Sequence, residues 1–169
     1  TATAIAVTRT LEKTLALKPT IKWVNDVLVD DKKICGILTE GITDLETQSL
    51  SQVVVGTGIN FLTEISTFPT ELQARVGTLA PYVKKNRLSR NRFIATYLNE
   101  FFKIYQNYTT GSFMDEYRAH CDLIGKHVTI QRPTGTLEAQ VIDINDHGAL
   151  VLENGKVLNS GEVIKVRKV

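Results

Sequence analysis

Residues 21–40, IKWVNDVLVDDKKICGILTE, constrain this chain more than any other stretch. Residues 21–24 and 27–29 are short β-prone runs, Asp30, Asp31 and Lys32 make a polar break of hairpin length, and residues 34–39 read as the return strand. Lys22, Asn25, Asp26, Lys33 and Gly36 are strung along that hairpin, so charge and amide groups stand where strands normally carry packing residues. An active site is expected here. A second strand punctuated by glycine, VVVGTGIN at residues 53–60, reads as its partner.

The rest of the chain frames these two stretches. In residues 2–17, Ala4, Val7, Leu11 and Leu15 recur at three- and four-residue spacing, the period of an amphipathic helix that Pro19 ends. Residues 41–52 are polar and expected as a surface loop. Val53, Val54 and Val55 are apolar on both faces, the pattern of a central buried strand. Residues 63–86 hold no sustained period and carry Pro69, Gly77 and Pro81, so an irregular loop bordering the site is expected, with one short helix at 72–76. Ser89 is placed to cap a long helix whose apolar face is Phe93, Tyr97, Leu98, Phe101, Ile104 and Tyr105. Gly111 breaks it, and Ser112 with Asp115 and Glu116 starts a shorter helix to His120.

Beyond Asp122 five short alternating strands follow, at 128–131, 136–144, 149–152, 157–159 and 163–166. Turns at Pro133-Thr134-Gly135, Asp146-His147-Gly148 and Asn154-Gly155 separate them. So many strands in so short a span predict a small antiparallel barrel or sandwich. The expectation is an α+β chain of two units, residues 1–121 and 122–169.

Composition narrows the classes. With 43% hydrophobic and 22% charged residues the chain is that of a folded globular protein, and a net charge of +2 is too small for a DNA-binding face. Cys35 and Cys121 are far apart with no CxxC spacing, which predicts two reduced thiols in a cytoplasmic protein. No apolar run approaches the roughly 18 residues a bilayer crossing needs, and no basic signal-peptide start is present. The chain opens at Thr1 inside a helical pattern, so a piece of something longer is expected.

Each candidate residue carries two readings on type and spacing alone. Lys33, just past the turn with Gly36 behind it, is either a solvated lysine or an ammonium aimed at a phosphate or carboxylate. Asn25 and Asp26 either hold a bulge or meet a ligand. Asn60, closing the glycine strand, is a turn residue or a ligand contact. GTGIN lacks the third glycine of a dinucleotide fingerprint. His120, His127 and His147 have no metal-ligand spacing, and neither a GxSxG elbow nor a Cys-His pair occurs. What remains is a lysine-and-amide site suited to anionic substrates.

The stretches KWVND, KKICGIL-TE and VVVGTGIN, in this order and spacing, resemble the biotin–protein ligase family. Its usual forms are KWPND, a basic pair followed by GIL and an acidic residue, and GIGIN. The resemblance implies part of a mixed sheet with helices, of the kind shared with class II aminoacyl-tRNA synthetases, followed by an SH3-like barrel. It implies two steps: biotin and ATP give biotinyl-5'-adenylate with Mg2+ present, and a lysine of a carboxylase's biotin acceptor domain then takes the biotin. By position, Lys33 matches the lysine that meets biotin's carboxyl and the α-phosphate. Lys22, Asn25, Asp26 and Asn60 match positions lining the adenylate pocket, and Gly36 the small residue that makes room for biotin. Val24 departs from the family's proline. The family's Gly/Arg-rich loop, biotin-gripping strands and DNA-binding helix-turn-helix have no counterpart in this sequence, so the chain is expected not to form the adenylate unaided. Two other functions stay open: a docking or dimerisation module, and a lipoate or octanoyl transferase of similar fold.

Overall fold

A computed structural model describes residues 1–133 and 135–167. Helix α1 (Ala2–Leu15) lies at the centre of the molecule, and nine of its residues are buried, Ala4, Val7, Leu11 and Leu15 among them. Its buried threonines are satisfied within the helix: the Thr8 hydroxyl donates to the Ile5 carbonyl at 2.9 Å and that of Thr10 to Ala6 at 2.7 Å. Ala16, in the left-handed region at φ 52°, ends it before Pro19 is reached.

Strands β1 (Thr20–Lys22), β2 (Asp26–Val29), β3 (Lys32–Thr43) and β4 (Leu50–Ile59) form one antiparallel sheet in chain order. Asp30 and Asp31 both have positive φ, 51° and 60°, which closes β2 to β3 as a two-residue turn and puts Lys32 in the strand. The expected loop at 41–52 is a correction. β3 continues to Thr43 and β4 starts at Leu50, leaving only residues 44–49 as a turn, where Asp44 Oδ1 accepts from the N–H groups of Glu46 and Thr47. The valines are also corrected: β4 is the edge of its sheet, with Val53 52% and Val54 50% exposed. An apolar run marks a strand but not whether both faces are covered.

Between the sheets of the chain, the expected irregular segment holds a short helix α2 (Thr70–Gln73) and an unexpected one, α3 (Ala80–Asn86). Pro81 stands in the first turn of α3, where its missing N–H costs nothing. Helix α4 (Arg90–Tyr105) is capped by Ser89, whose hydroxyl accepts from the Arg92 N–H at 3.2 Å. Phe93 and Ile104 are buried, whereas Leu98 and Tyr105 face outward. In their place α4 buries Glu100 against α1, gripped by Lys13 at 2.7 Å and Lys103 at 3.0 Å. Helix α5 (Met114–His120) follows, with Asp115 and Glu116 in its first turn and Phe113 rather than Ser112 at its N-terminal boundary.

The second sheet is antiparallel with order β8-β7-β6-β5-β9, from β5 (His127–Arg132), β6 (Gly135–Ile144), β7 (Leu150–Leu152), β8 (Val157–Leu158) and β9 (Glu162–Arg167). Thr134 of the expected β5–β6 turn, with Lys168 and Val169, lies outside the described residues. The two sheets share one continuous core, and Trp23, 3% exposed, donates its indole N–H to the Gly148 carbonyl in the β6–β7 loop at 2.8 Å. The Tyr117 hydroxyl donates to the Val24 carbonyl at 2.9 Å, and Arg118 donates to the Ile144 carbonyl at 3.0 Å. No helix among the described residues is long and apolar enough to cross a membrane.

Glu100 makes the α1–α4 contact sensitive to acid. Burial pushes its carboxyl pKa up, but hydrogen bonds from Lys13 and Lys103 outweigh it and leave the net value below 4.5. A depressed folded pKa gives stability that is full above the unfolded value and lost as pH falls through the folded one. Thermal unfolding followed downward from pH 4.5 should therefore show wild type losing stability faster than Glu100→Gln.

Candidate active site

Lys33 is the second residue of β3, and β-pairing brings Asp26 of β2 directly opposite Gly36 of β3. Side chains at 33 and 36 would ordinarily point to opposite faces of a strand. Here the pairing register shifts between Val27 and Leu28, a bulge that lets the Lys33 side chain lie back over Gly36. Its Nζ stands 2.6 Å from Asp26 Oδ1, with the lysine side chain 44% exposed and the aspartate 19%. A Cβ built on Gly36 would come within 3.1 Å of Lys33 Cε and 3.2 Å of Nζ. Gly36 thus makes room for the chain's own lysine.

These groups wall a cavity of about 490 Å³ between the sheet and the α2 segment. Lys22, Asp26, Lys33, Gly36 and Asn60 line it, so five of the six candidate residues come together. Asn25 does not line it. Its amide donates to the Ile37 carbonyl at 2.7 Å while its own carbonyl accepts from the Ile37 N–H at 3.0 Å, which staples the β1–β2 turn to β3. The bulge-holding role accounts for Asn25. The adjoining Trp23–Val24 peptide is cis.

Asn60 lines the cavity and also ties its walls. Its side-chain amide donates to the Gly77 carbonyl at 2.9 Å and to that of Lys33 at 3.4 Å, and its backbone carbonyl accepts from the Leu79 N–H at 2.8 Å. The segment after α2 is thereby held along β3, where the Lys33 N–H donates to the Arg75 carbonyl at 2.9 Å and Gly77 N–H to the Lys33 carbonyl at 2.8 Å.

Sequence reasoning missed Asp31, Phe68, Leu72 and Arg75, all on the lining. Three of them sit in the aperiodic stretch after Asn60, where no period marks an inward face; position next to the glycine strand was the only signal. Cys35 lines the cavity too, buried on β3, and loss of solvent with the nearby Asp26 charge pushes its thiol up to about 12 despite Lys33. It is a protonated wall residue at neutral pH. Among the described residues no cluster of three or more His, Cys, Asp or Glu could hold a metal ion.

Two family models match the chain: the biotin/lipoate A/B protein ligase family over residues 2–60, and the biotin protein ligase C terminal domain over residues 123–166. The bifunctional ligase/repressor BirA of Bacillus subtilis is 30% identical over 156 residues, 90% of this chain and 47% of that relative. This chain belongs to the biotin protein ligase family. The biotin–[acetyl-CoA-carboxylase] ligase of Mycobacterium tuberculosis is 30% identical over 178 residues, 98% of this chain and 61% of that relative. The chain spans about half the length of the Bacillus relative. A crystal structure of the biotin protein ligase from Aquifex aeolicus has the same fold, with a TM-score of 0.78 and 23% identity over 99% of this chain and 73% of that one. The Aquifex ligase in complex with biotin and ATP gives 0.76 and 24%, over 99% of this chain and 70% of that one. Membership in the biotin protein ligases makes the Lys33 cavity, which joins the two matched motifs KKICG and GTGIN, the site of interest.

The network around Asn60 predicts a structural cost separable from ligand binding. Asn60→Ala should lower stability by about 1–2 kcal/mol, read from the denaturant midpoint, because the Gly77 carbonyl loses its side-chain donor.

Proposed function

We propose that this chain supplies the Lys33-bearing wall of a site that forms biotinyl-5'-adenylate from biotin and ATP and then transfers biotin to a lysine of a carboxylase's biotin acceptor domain. The observation that carries the proposal is Lys33: its ammonium, held by Asp26 over a glycine, faces a cavity large enough for part of an acyl-adenylate. In the first step a biotin carboxylate oxygen bonds to the α-phosphorus and the bond to the pyrophosphate oxygen breaks. Negative charge grows on the phosphoryl oxygens, and a cation already in place stabilises it without reorganising solvent. In the second step the acceptor amine bonds to the acyl carbon, AMP leaves with the electron pair of the broken C–O bond, and the nitrogen loses a proton.

Lys22, Asp26 and Asn60 complete the wall in this proposal, Asp26 and Asn60 by positioning Lys33 and the segment beside it. Asp31 has no cation partner among the described residues and lines the same cavity, so it is the carboxylate fit to help hold Mg2+ brought by the triphosphate. The ion would neutralise phosphate charge. The C-terminal match to biotin protein ligases favours biotin over lipoate, which the family model for residues 2–60 also covers. The two buried free thiols agree with a cytoplasmic location.

A second copy of the chain is a further proposed partner. β4 presents an unpaired edge with half-exposed Leu50, Val53 and Val54, the kind of edge that takes another strand.

Calorimetric titration with a non-hydrolysable biotinyl-adenylate analogue tests the site. Lys33→Ala should weaken binding at least about tenfold, and in a preparation that releases pyrophosphate from ATP and biotin it should slow release about 10²–10³-fold. Equal binding by wild type and Lys33→Ala would remove Lys33 from the site. Sedimentation over a concentration series tests self-association: wild type should shift toward dimer and Val54→Lys should stay monomeric. A wild type that is monomeric throughout would exclude the second copy.

A further inference from the structure

Residues 84–92, KKNRLSRNR, gather five cations at the junction of α3 and α4, and residues 72–99 hold no Asp or Glu although the chain has 18 acidic residues. The junction is firmly held. Val83, Leu88 and Phe93 are buried, the Leu88 N–H donates to the Val83 carbonyl at 3.1 Å, and the Ser89 cap starts α4 at once. Lys84, Lys85, Arg87, Arg90 and Arg92 are all exposed. Among the described residues none of the five makes a side-chain hydrogen bond or ion pair, and Arg90 places its guanidinium carbon 5.9 Å from the centroid of the Phe61 ring. Fold stability accounts for only part of this cluster. Lys84 and Lys85 stand in the last turn of α3, where the helix dipole favours cations. Arg90 and Arg92 stand in the first turn of α4, which has no acidic residue, and there the dipole opposes them. Arg87 has φ 50°, a conformation that glycine or asparagine takes at least cost.

This basic surface borders the Lys33 cavity at two points. Phe61, beneath Arg90, directly follows the lining residue Asn60 and packs on Phe93 with ring centroids 5.3 Å apart. At the other point the Tyr82 hydroxyl of α3 donates to Asp30 Oδ2 at 2.9 Å, beside Asp31 on the lining. Unmatched cations next to a site draw in an acidic surface, speed its encounter and fix the direction of its approach. The second substrate of the proposed reaction is a folded protein that must bring an amine to Lys33, whereas neither a nucleic acid nor a lipid takes part in it. We propose that the α3–α4 junction is a docking surface for an acidic face of the biotin acceptor domain, with Arg87, Arg90 and Arg92 as its contacts. The proposal rests on the reading of the Lys33 cavity as the place of biotin transfer.

Association and dissociation rates of the unbiotinylated acceptor domain of the cell's own carboxylase test it, measured on the 169-residue chain at low and high salt. The chain is compared as wild type, Arg90→Glu/Arg92→Glu and Lys18→Glu/Lys156→Glu. The first variant puts carboxylates where the α4 dipole favours them, so it keeps the fold. It should weaken binding about tenfold at low salt, mainly through slower association, with the difference shrinking as salt rises. Lys18→Glu/Lys156→Glu changes the net charge equally at exposed positions elsewhere and should stay near wild type. Amidating the acceptor domain's carboxylates should weaken its binding to wild type and leave no difference between wild type and Arg90→Glu/Arg92→Glu. If the acceptor domain binds wild type and Arg90→Glu/Arg92→Glu alike, the docking surface is overturned and the transfer site stands. If it does so while duplex DNA or phosphatidylserine vesicles bind wild type and not the variant, the surface belongs to that other partner. If the wild-type chain does not bind the acceptor domain, the transfer reading is overturned and the docking surface with it.

Discussion

Trp23 sits almost wholly out of solvent with a polar N–H at its edge, and that donor finds its acceptor in the β6–β7 loop of the other sheet. A buried donor left unpaired costs about 1–3 kcal/mol, so the ring fixes where that loop must lie. Gly148 has φ 79°, and a Cβ there would lie 2.9 Å from Thr1 Cγ2, so the loop can approach α1 only without a side chain. Tyr117 adds a second tie through the Val24 carbonyl. The β1–β2 turn is therefore clamped from beneath by the second sheet and α5, and the residues it carries inherit their positions from an interface far along the chain.

Above that clamp, the division of labour among the polar residues is uneven. Asn25 is consumed by the backbone of Ile37, and Asn60 is partly consumed by Gly77 and Lys33. Both hold the walls at fixed spacing. The charged groups on the cavity lining stand on β1, β2, β3, the β2–β3 turn and the segment after α2. Their supports are main-chain carbonyls and N–H groups, which move less than side chains do, so the cavity is preorganised by the sheet itself.

Much of this was legible in the sequence, for identifiable reasons. α1 announces itself by a period that matches its burial, α4 by a period of which Phe93 and Ile104 are buried, Ser89 by its capping chemistry, and the five late strands by turn residues at short intervals. Misreadings fell where local pattern does not encode context. Val53 to Val55 look the same whether a strand is flanked on one side or two, and only the sheet order reveals that β4 is an edge. Glu100 was absent from the apolar face because its burial depends on Lys13, eighty-seven residues earlier. Five of six candidate site residues share one cavity because they lie on strands adjacent in sequence. Arg75 and Asp31 escaped because their place on the wall follows from main-chain bonds and a tight turn rather than from any motif.

The Lys33–Asp26 contact has a consequence for what can enter. With its ammonium already matched by an internal carboxylate, Lys33 offers an arriving anion only the difference between that anion's attraction and that of the displaced aspartate. Singly charged solutes such as chloride or acetate offer little advantage over the resident group. A ligand that brings several charges and a shape matched to the walls does, so discrimination begins with the chain's competition for its own lysine.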